Sequence, residues 1–244
     1  MGIKYKVNEQ FFSTWSDNMA YVLGFWYADG SVEYAPAMRG RYIRITSTDK
    51  EIVETIKRVM GSEHTIVPLV IDRKRTSYLL RIGNRHLFSQ LQEHGVLERK
   101  SLTVTFPKVP QAHLGSFIRG YFDGDGCVHL EKNIAGDIQR LVTIFTSGSL
   151  LFLEQLRSLL YSVAGTNKDK AITITKGGYG TAYQLRFSTR DSLRIYRLLY
   201  PNGRPRDLCL RRKYDIFTRY CKLRGLTFSD IGGILDTKGP VVKR

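Results

Sequence analysis

Apolar positions along this chain follow two periods that alternate in a fixed order, and the order occurs twice. Residues 21–32, "YVLGFWYADGSV", are apolar almost without interruption, which predicts a helix buried nearly all round and closed by Asp29 and a terminating Gly30. In "RGRYIRITS", Ile43 and Ile45 alternate with Tyr42, Arg44 and Thr46, and a period of two predicts a half-buried strand with a basic, aromatic polar face. "TDKEIVETIKRVMG" carries a stripe of Ile52, Val53, Ile56, Val59 and Met60, so a helix is expected, with a capping box of Thr48 and Glu51 and a stop at Gly61. "TIVPLVIDRKRTSYLLRIG" predicts two strands around a basic turn at Arg73, Lys74 and Arg75, and "NRHLFSQLQEHG" a helix from Asn84 to a Gly95 cap.

The same succession then returns. "SFIRGYFDGDGCV", residues 116–128, has the apolar rise and small residues of the first segment, with Asp125 before Gly126. "RLVTIFTS" predicts a strand, "GSLLFLEQLRSLLYSV" a leucine-striped helix, "AITITKGGYGTAYQLRFS" a hairpin, and "TRDSLRIYRLLYPNG" a capped helix ending at Pro201. The two acids lie 125 − 29 = 96 residues apart, the period of an internal duplication. An α+β chain is expected, with halves at about 1–107 and 108–222 joined at "FPKVP", and a tail at 223–244.

Each acid sits at a helix C-terminus, where the partial negative charge of the helix repels it. Within each helix small residues fall four apart, Gly24 with Ala28 and Gly120 with Gly124, so two such helices can pack with backbones nearly touching. Such packing would bring Asp29 and Asp125 to the same end of a helix pair. Two like charges there call for a compensating cation, and oxygen ligands select Mg²⁺ or a similar hard ion. Two exposed carboxylates with no role are the plainer alternative.

Charge adds the partner class. Lys and Arg number 38 against 22 Asp and Glu, a formal +16, which favours a polyanion, nucleic acid first, over a membrane surface. Acids holding divalent ions in a basic protein describe phosphodiester hydrolysis. The three cysteines form no C-x-x-C pair and the five histidines show no zinc-ligand spacing. With no long apolar run and no signal-peptide pattern, an intracellular protein is expected, in cytoplasm, nucleoid or an organelle matrix and not secreted.

"VLGFWYADG" (22–30) and "IRGYFDGDG" (118–126) resemble the two signature motifs of the LAGLIDADG homing endonucleases in their single-chain form, and the order of elements around each motif matches over about residues 10–222. The resemblance implies two pseudo-symmetric αββαββα halves, forming a saddle of antiparallel sheets around a central pair of motif helices. It implies a monomer on a long, asymmetric site in double-stranded DNA, cleaving both strands and leaving short 3′ overhangs. Asp29 and Asp125, with the carbonyls of Ala28 and Gly124, would hold Mg²⁺, with Mn²⁺ a plausible substitute and Ca²⁺ binding without turnover. Lys100 and Lys213, before the last helix of each half, stand where the family often has a catalytic basic residue; a plain phosphate contact is the other reading. Arg39, Arg41, Tyr42, Arg44, Arg73, Arg75, Tyr183 and Arg186 are the candidates for reading bases, although a register slip of one residue would exchange the faces.

This chain departs from the family pattern at two places. Ser47 and Ser147 stand where a Gln or similar residue is common, and would hold a water or cap the next helix. Tyr27 replaces the motif's earlier acid, which Asp123 retains, a position expected to serve helix-end packing. No intein splicing junction is evident, so a free-standing enzyme is expected. The tail suggests the opening of a helix-turn-helix or a simple amphipathic appendage, with Ser229 near a cap, Ile231, Ile234 and Leu235 as core, and Val241 and Val242 starting a further helix. A cleavage-inactive DNA-binding regulator and a maturase binding intron RNA share the fold and remain alternatives.

Overall fold

The computed structural model describes residues 5–35, 40–72, 75–97, 103–177, 180–204 and 208–236. Its contacts divide the chain into two units, Met1–Asp125 with Asp207–Leu210, and Gly126–Arg206 with Arg211–Arg244. This division differs from the sequence repeat, because the second motif helix packs against the first and so belongs to the first unit.

The first unit runs α1 (Asp17–Asp29), β1 (Gly30–Ala35), β2 (Gly40–Ser47), α2 (Lys50–Val59), β3 (Ile66–Asp72), β4 (Arg75–Gly83) and α3 (Arg85–Glu93). A 3-10 turn at Gln111–His113 then leads into α4 (Leu114–Asp125). Its strands form one antiparallel sheet in the order β1-β2-β4-β3. Ile43, Ile45, Leu80 and Ile82 point to one face, where α2 and α3 contribute Ile52, Val53, Ile56, Leu87, Phe88 and Leu91, all buried. Every residue of α1 from Met19 to Tyr27 is buried, as its unbroken apolar sequence requires.

The second unit repeats the frame with β5 (Gly126–Lys132), β6 (Ile138–Ser147), α5 (Leu150–Ala164), β7 (Ile172–Gly177), β8 (Gly180–Phe187) and α6 (Thr189–Leu199), its sheet ordered β5-β6-β8-β7. Two further helices follow, α7 (Arg211–Leu223) and α8 (Phe228–Asp236). Tyr196 of α6 stacks on Phe217 of α7 and meets Phe228 of α8 edge-on, so α8 docks on an aromatic cluster.

Several local expectations shift. The cap of α2 is Asp49, not Thr48, and it makes no side-chain capping bond. The Ser47 hydroxyl accepts from the Asp49 amide at 3.2 Å, a turn that delays the helix by one residue. Ser147 repeats this bond to Ser149 at 3.1 Å, and Ser149 in turn caps α5 by accepting from the Phe152 amide at 3.3 Å. Gly30 is extended, φ −97°, and begins β1; it is glycine because a Cβ there would collide with the Trp26 ring. In the tail the cap residue is Thr227 rather than Ser229: its hydroxyl accepts from the Asp230 amide at 3.2 Å, and the Asp230 carboxylate accepts from the Thr227 amide at 2.7 Å. The Thr227 hydroxyl also donates to the Asp230 carboxylate at 2.6 Å, and this bond, with the one from the Thr227 amide, holds the Asp230 carboxyl below its ordinary range. Ile231 is buried as expected, whereas Val241 and Val242 lie outside the described residues.

Candidate functional site

The site is built where α1 and α4 cross, within the first unit. A Cβ on Gly24 would overlap the Phe117 carbonyl and lie 2.9 Å from the Tyr121 amide nitrogen. A Cβ on Gly120 would overlap the Tyr21 carbonyl and lie 3.0 Å from the Phe25 amide nitrogen. The two helices thus touch backbone to backbone at both glycines, as their four-residue spacing predicts. One turn on, a Cβ on Gly124 would collide with that of Ala28 and lie 3.4 Å from Oδ2 of Asp29. The crossing therefore carries both motif ends to one place.

Asp29 and Asp125 are the last residues of α1 and α4, and both are exposed. Neither helix has a basic residue in its last turn. Two carboxylates beside two negative helix ends form an oxygen-rich environment that suits a hard divalent cation. The donor chemistry fits the metal implied by the motif.

The position two residues before each acid does more than pack. Tyr27, buried, donates its hydroxyl to the His94 carbonyl at 2.6 Å, and burial pushes its phenol well above the ordinary value. Asp123, 1% exposed, accepts from the Tyr21 hydroxyl at 2.7 Å and from the Leu210 amide at 2.8 Å. Arg119, one turn earlier on α4 and also buried, donates from Nε to the Leu208 carbonyl at 3.1 Å. Sequence reasoning missed this network because Leu208 and Leu210 are remote in the chain. An arginine and an aspartate four apart inside an otherwise apolar helix was the available signal, since charges are seldom buried without partners.

In the second unit, Lys213 of α7 is buried and donates from Nζ to the Gly126 carbonyl at 2.6 Å; Gly126 follows Asp125 in the chain. Lys100, Arg39 and Arg73 lie outside the described residues.

Strand register sorts the remaining candidates by face. In the first sheet Tyr42 and Arg44 share the open face with Arg81, which lies opposite Arg44 on β4. The Arg81 guanidinium lies over the Tyr42 ring, 3.8 Å from its centroid, and Glu33 receives both Arg81 at 3.4 Å and Arg44 at 3.8 Å. Arg75, at the start of β4, pairs with Asp72 at 2.7 Å. Arg41 keeps the parity of Ile43 and stands on the helix-covered face, 5.6 Å above the Phe88 ring. In the second sheet Arg186 is on the open face and paired with Glu131, while Tyr183, opposite Ser147, has the parity of the buried Leu185 and Phe187. Arg41 and Tyr183 are thus set apart from Tyr42, Arg44 and Arg186. Arg81, not among the expected residues, joins Tyr42 and Arg44 on the open face of the first sheet.

Comparison with known proteins agrees with this geometry. The family model of a LAGLIDADG-like domain matches residues 16–95 and 113–199, and the chain belongs to that family. An A-type ATP synthase component of Methanopyrus kandleri is 27% identical over 161 residues, 62% of this chain and 15% of the relative. An uncharacterised protein of Methanocaldococcus jannaschii is 23% identical over 120 residues, 48% of this chain and 41% of the relative. The chain therefore spans less than half the length of either. Among solved structures, the I-WcaI homing endonuclease bound to its DNA recognition sequence matches with a TM-score of 0.53 and 12% identity, covering 85% of this chain and 90% of that one. The I-SmaMI meganuclease bound to uncleavable DNA matches at 0.51 and 14%, covering 88% and 95%. At such identities the likeness establishes the fold: an α+β chain of two halves, each with a four-stranded antiparallel sheet. Among the described residues, no helix is long and apolar enough to cross a membrane.

Proposed function

We propose that this chain is a site-specific endonuclease that hydrolyses both strands of double-stranded DNA with Mg²⁺, leaving short 3′ overhangs, and acts as a monomer. The observation that carries the reading is the crossing of α1 and α4, which sets the Asp29 carboxylate beside the end of the helix that terminates in Asp125. Asp29, Asp125 and the carbonyls of Ala28 and Gly124 would hold the metal. When bound, a divalent ion would activate water and stabilise the leaving oxygen. The carboxylates would fix its place on the buried helix pair, and a catalytic role for Lys213, whose amine in the second unit rests buried on the Gly126 carbonyl, is a separate expectation from the motif resemblance. The open strand faces bearing Tyr42, Arg44, Arg81 and Arg186 would meet the bases and phosphates. The DNA-bound homing endonucleases that share the fold support this partner.

The test is sequencing of the ends cut from a large random-site DNA library by the purified protein with Mg²⁺, beside Asp29→Asn and Asp125→Asn. Discrete ends from the unaltered protein alone are expected, with both variants still binding the recovered site. Cleavage surviving in both single variants would refute the assignment.

A further inference from the structure

We propose that Val67 and Leu69 of the first sheet determine specificity by contacting thymine methyl groups in the major groove. The proposal rests on the duplex DNA partner of the nuclease reading and adds a base preference to it.

Strand β3 exposes apolar side chains in a strongly basic chain: Val67 is 44% exposed and Leu69 40%. Pairing register decides which way they face. Val67 lies opposite Leu79 and Leu69 opposite Ser77, while Leu79 lies opposite Thr46 on β2. All share the parity of Arg44 and Arg81, whereas the intervening Leu80 lies opposite Ile45, both fully buried. The open face therefore changes character across one sheet. Leu79 follows Arg81 on that face of β4 and extends an apolar patch, through Val67 to Leu69, away from the arginines.

A patch continuous with arginines suits a partner that is anionic and bears apolar groups close to its charge. The major groove is such a surface, because the C5-methyl of thymine lies among its base edges and phosphates line its rims. A strand of a second copy suits β3 poorly. Pro68 has no N–H to donate, and the pairing register shifts between Val70 and Asp72, two features that blunt an edge against strand addition.

The second sheet carries hydrogen-bonding side chains at the same places. Gly30, Ile45 and Leu80 lie opposite one another in turn, as do Gly126, Phe145 and Leu185. Counting from these, Gln184 corresponds to Leu79, Thr173 to Val67 and Thr175 to Leu69. The fold thus accepts polar residues at all three positions, so their apolar character in the first sheet is not a demand of folding. Gln and Thr read base edges by hydrogen bonds, whereas Val and Leu can offer only contact.

The experiment uses a duplex selected from a random library by binding to the whole protein. Each thymine is replaced in turn by uracil, which lacks only the methyl group. Affinities are measured for the unaltered protein, Val67→Thr, Leu69→Thr and a control, Val70→Thr; Val70 lies opposite Thr76 on the other face and is 78% exposed. Threonine suits an exposed strand position, so all three variants should fold. For the unaltered protein, uracil at thymines of one half-site should weaken binding about fourfold each, the effect of one methyl losing apolar contact. Val67→Thr and Leu69→Thr should each remove that penalty at one thymine, while Val70→Thr preserves it throughout. Indifference to uracil at every position, or a penalty unchanged in both variants, overturns the proposal. So does a dimer in sedimentation that Leu69→Thr dissociates with DNA affinity unchanged, which would give the patch to a second copy. A selected duplex that is bound but never cut fails the nuclease reading alone, and the uracil series still decides the patch. Binding to no duplex overturns both.

Discussion

The two motif helices share a backbone plan and differ in how they hold the chain beyond them. Gly24 and Gly120 make equivalent contacts, each on the other helix's backbone, and Asp29 and Asp125 close both helices. Between these fixed points, α1 places Leu23 and Tyr27 where α4 places Arg119 and Asp123. One helix therefore anchors its downstream segment with a neutral hydroxyl, the other with a buried charged network. The packing contact is duplicated because geometry leaves no choice at it. The anchor differs because different polar groups can satisfy a buried carbonyl or amide.

The largest effect should come from the shared part. Gly24→Ala and Gly120→Ala each drive a methyl into backbone, and overpacking of this kind costs about 3 kcal/mol. In a chain of this size that lowers the thermal midpoint by about 6–12 °C. Calorimetry should find the two variants alike; a large loss for one and none for the other would break the equivalence of the helices.

A smaller effect separates the two faces of the first sheet. Arg44→Ala should weaken DNA binding by about 1–3 kcal/mol or reduce the salt slope by about one unit, depending on whether Arg44 reads a base or a phosphate. Arg41→Ala should alter neither, because Arg41, although exposed at the strand end, has the parity of Ile43 and points away from the face that bears Arg44. Titrations at several salt concentrations distinguish them, and equal losses would mean that the faces do not divide function in this way.

The caps of the two corresponding helices give a finer comparison. Ser149→Ala removes a bond to the Phe152 amide and should cost about 1 kcal/mol. Asp49→Ala removes no side-chain capping bond and should cost clearly less in the same chemical denaturation experiment.

Acid should reach the units at different pH. His64 is held below its ordinary value of 6.5 by burial and by Lys57. The unfolded chain then takes up the proton first, so this contribution to stability is complete above about 6.5 and declines as pH falls until folded His64 protonates. Asp230 is depressed by its bonds from Thr227, so its contribution persists to below the ordinary carboxylate value of 3.8 and is lost as pH falls through its folded pKa. Hydrogen exchange followed against pH should show weakening around residues 62–64 of the first unit before weakening of α8 in the second. The reverse order would contradict this account.

Much of this architecture could be read from local pattern. Period two marked β2 and β6, striped helices marked α2 and α5, and the small residues four apart foretold the crossing of α1 and α4. β1 and β5 were less legible because each begins directly after a motif helix and has a single well-buried apolar side chain, Val32 or Val128. The faces of Arg41 and Tyr183 depended on pairing register, which composition does not reveal. The role of Asp123 was hidden for another reason: its partner Leu210 is 87 residues away and offers only a backbone amide, which no side-chain pattern announces.

The glycine crossing also bears on how such chains can be recombined. A hybrid that takes its first half from one relative and its second from another must rebuild this joint from two parents. Where both donors carry glycine at the places of Gly24 and Gly120, the helices can meet as they do here. Where either has a larger residue, that parent's half arrives with a different spacing already built in. Compatibility between parents can therefore be screened first by reading two letters of sequence, before any choice is made about which DNA the hybrid should bind.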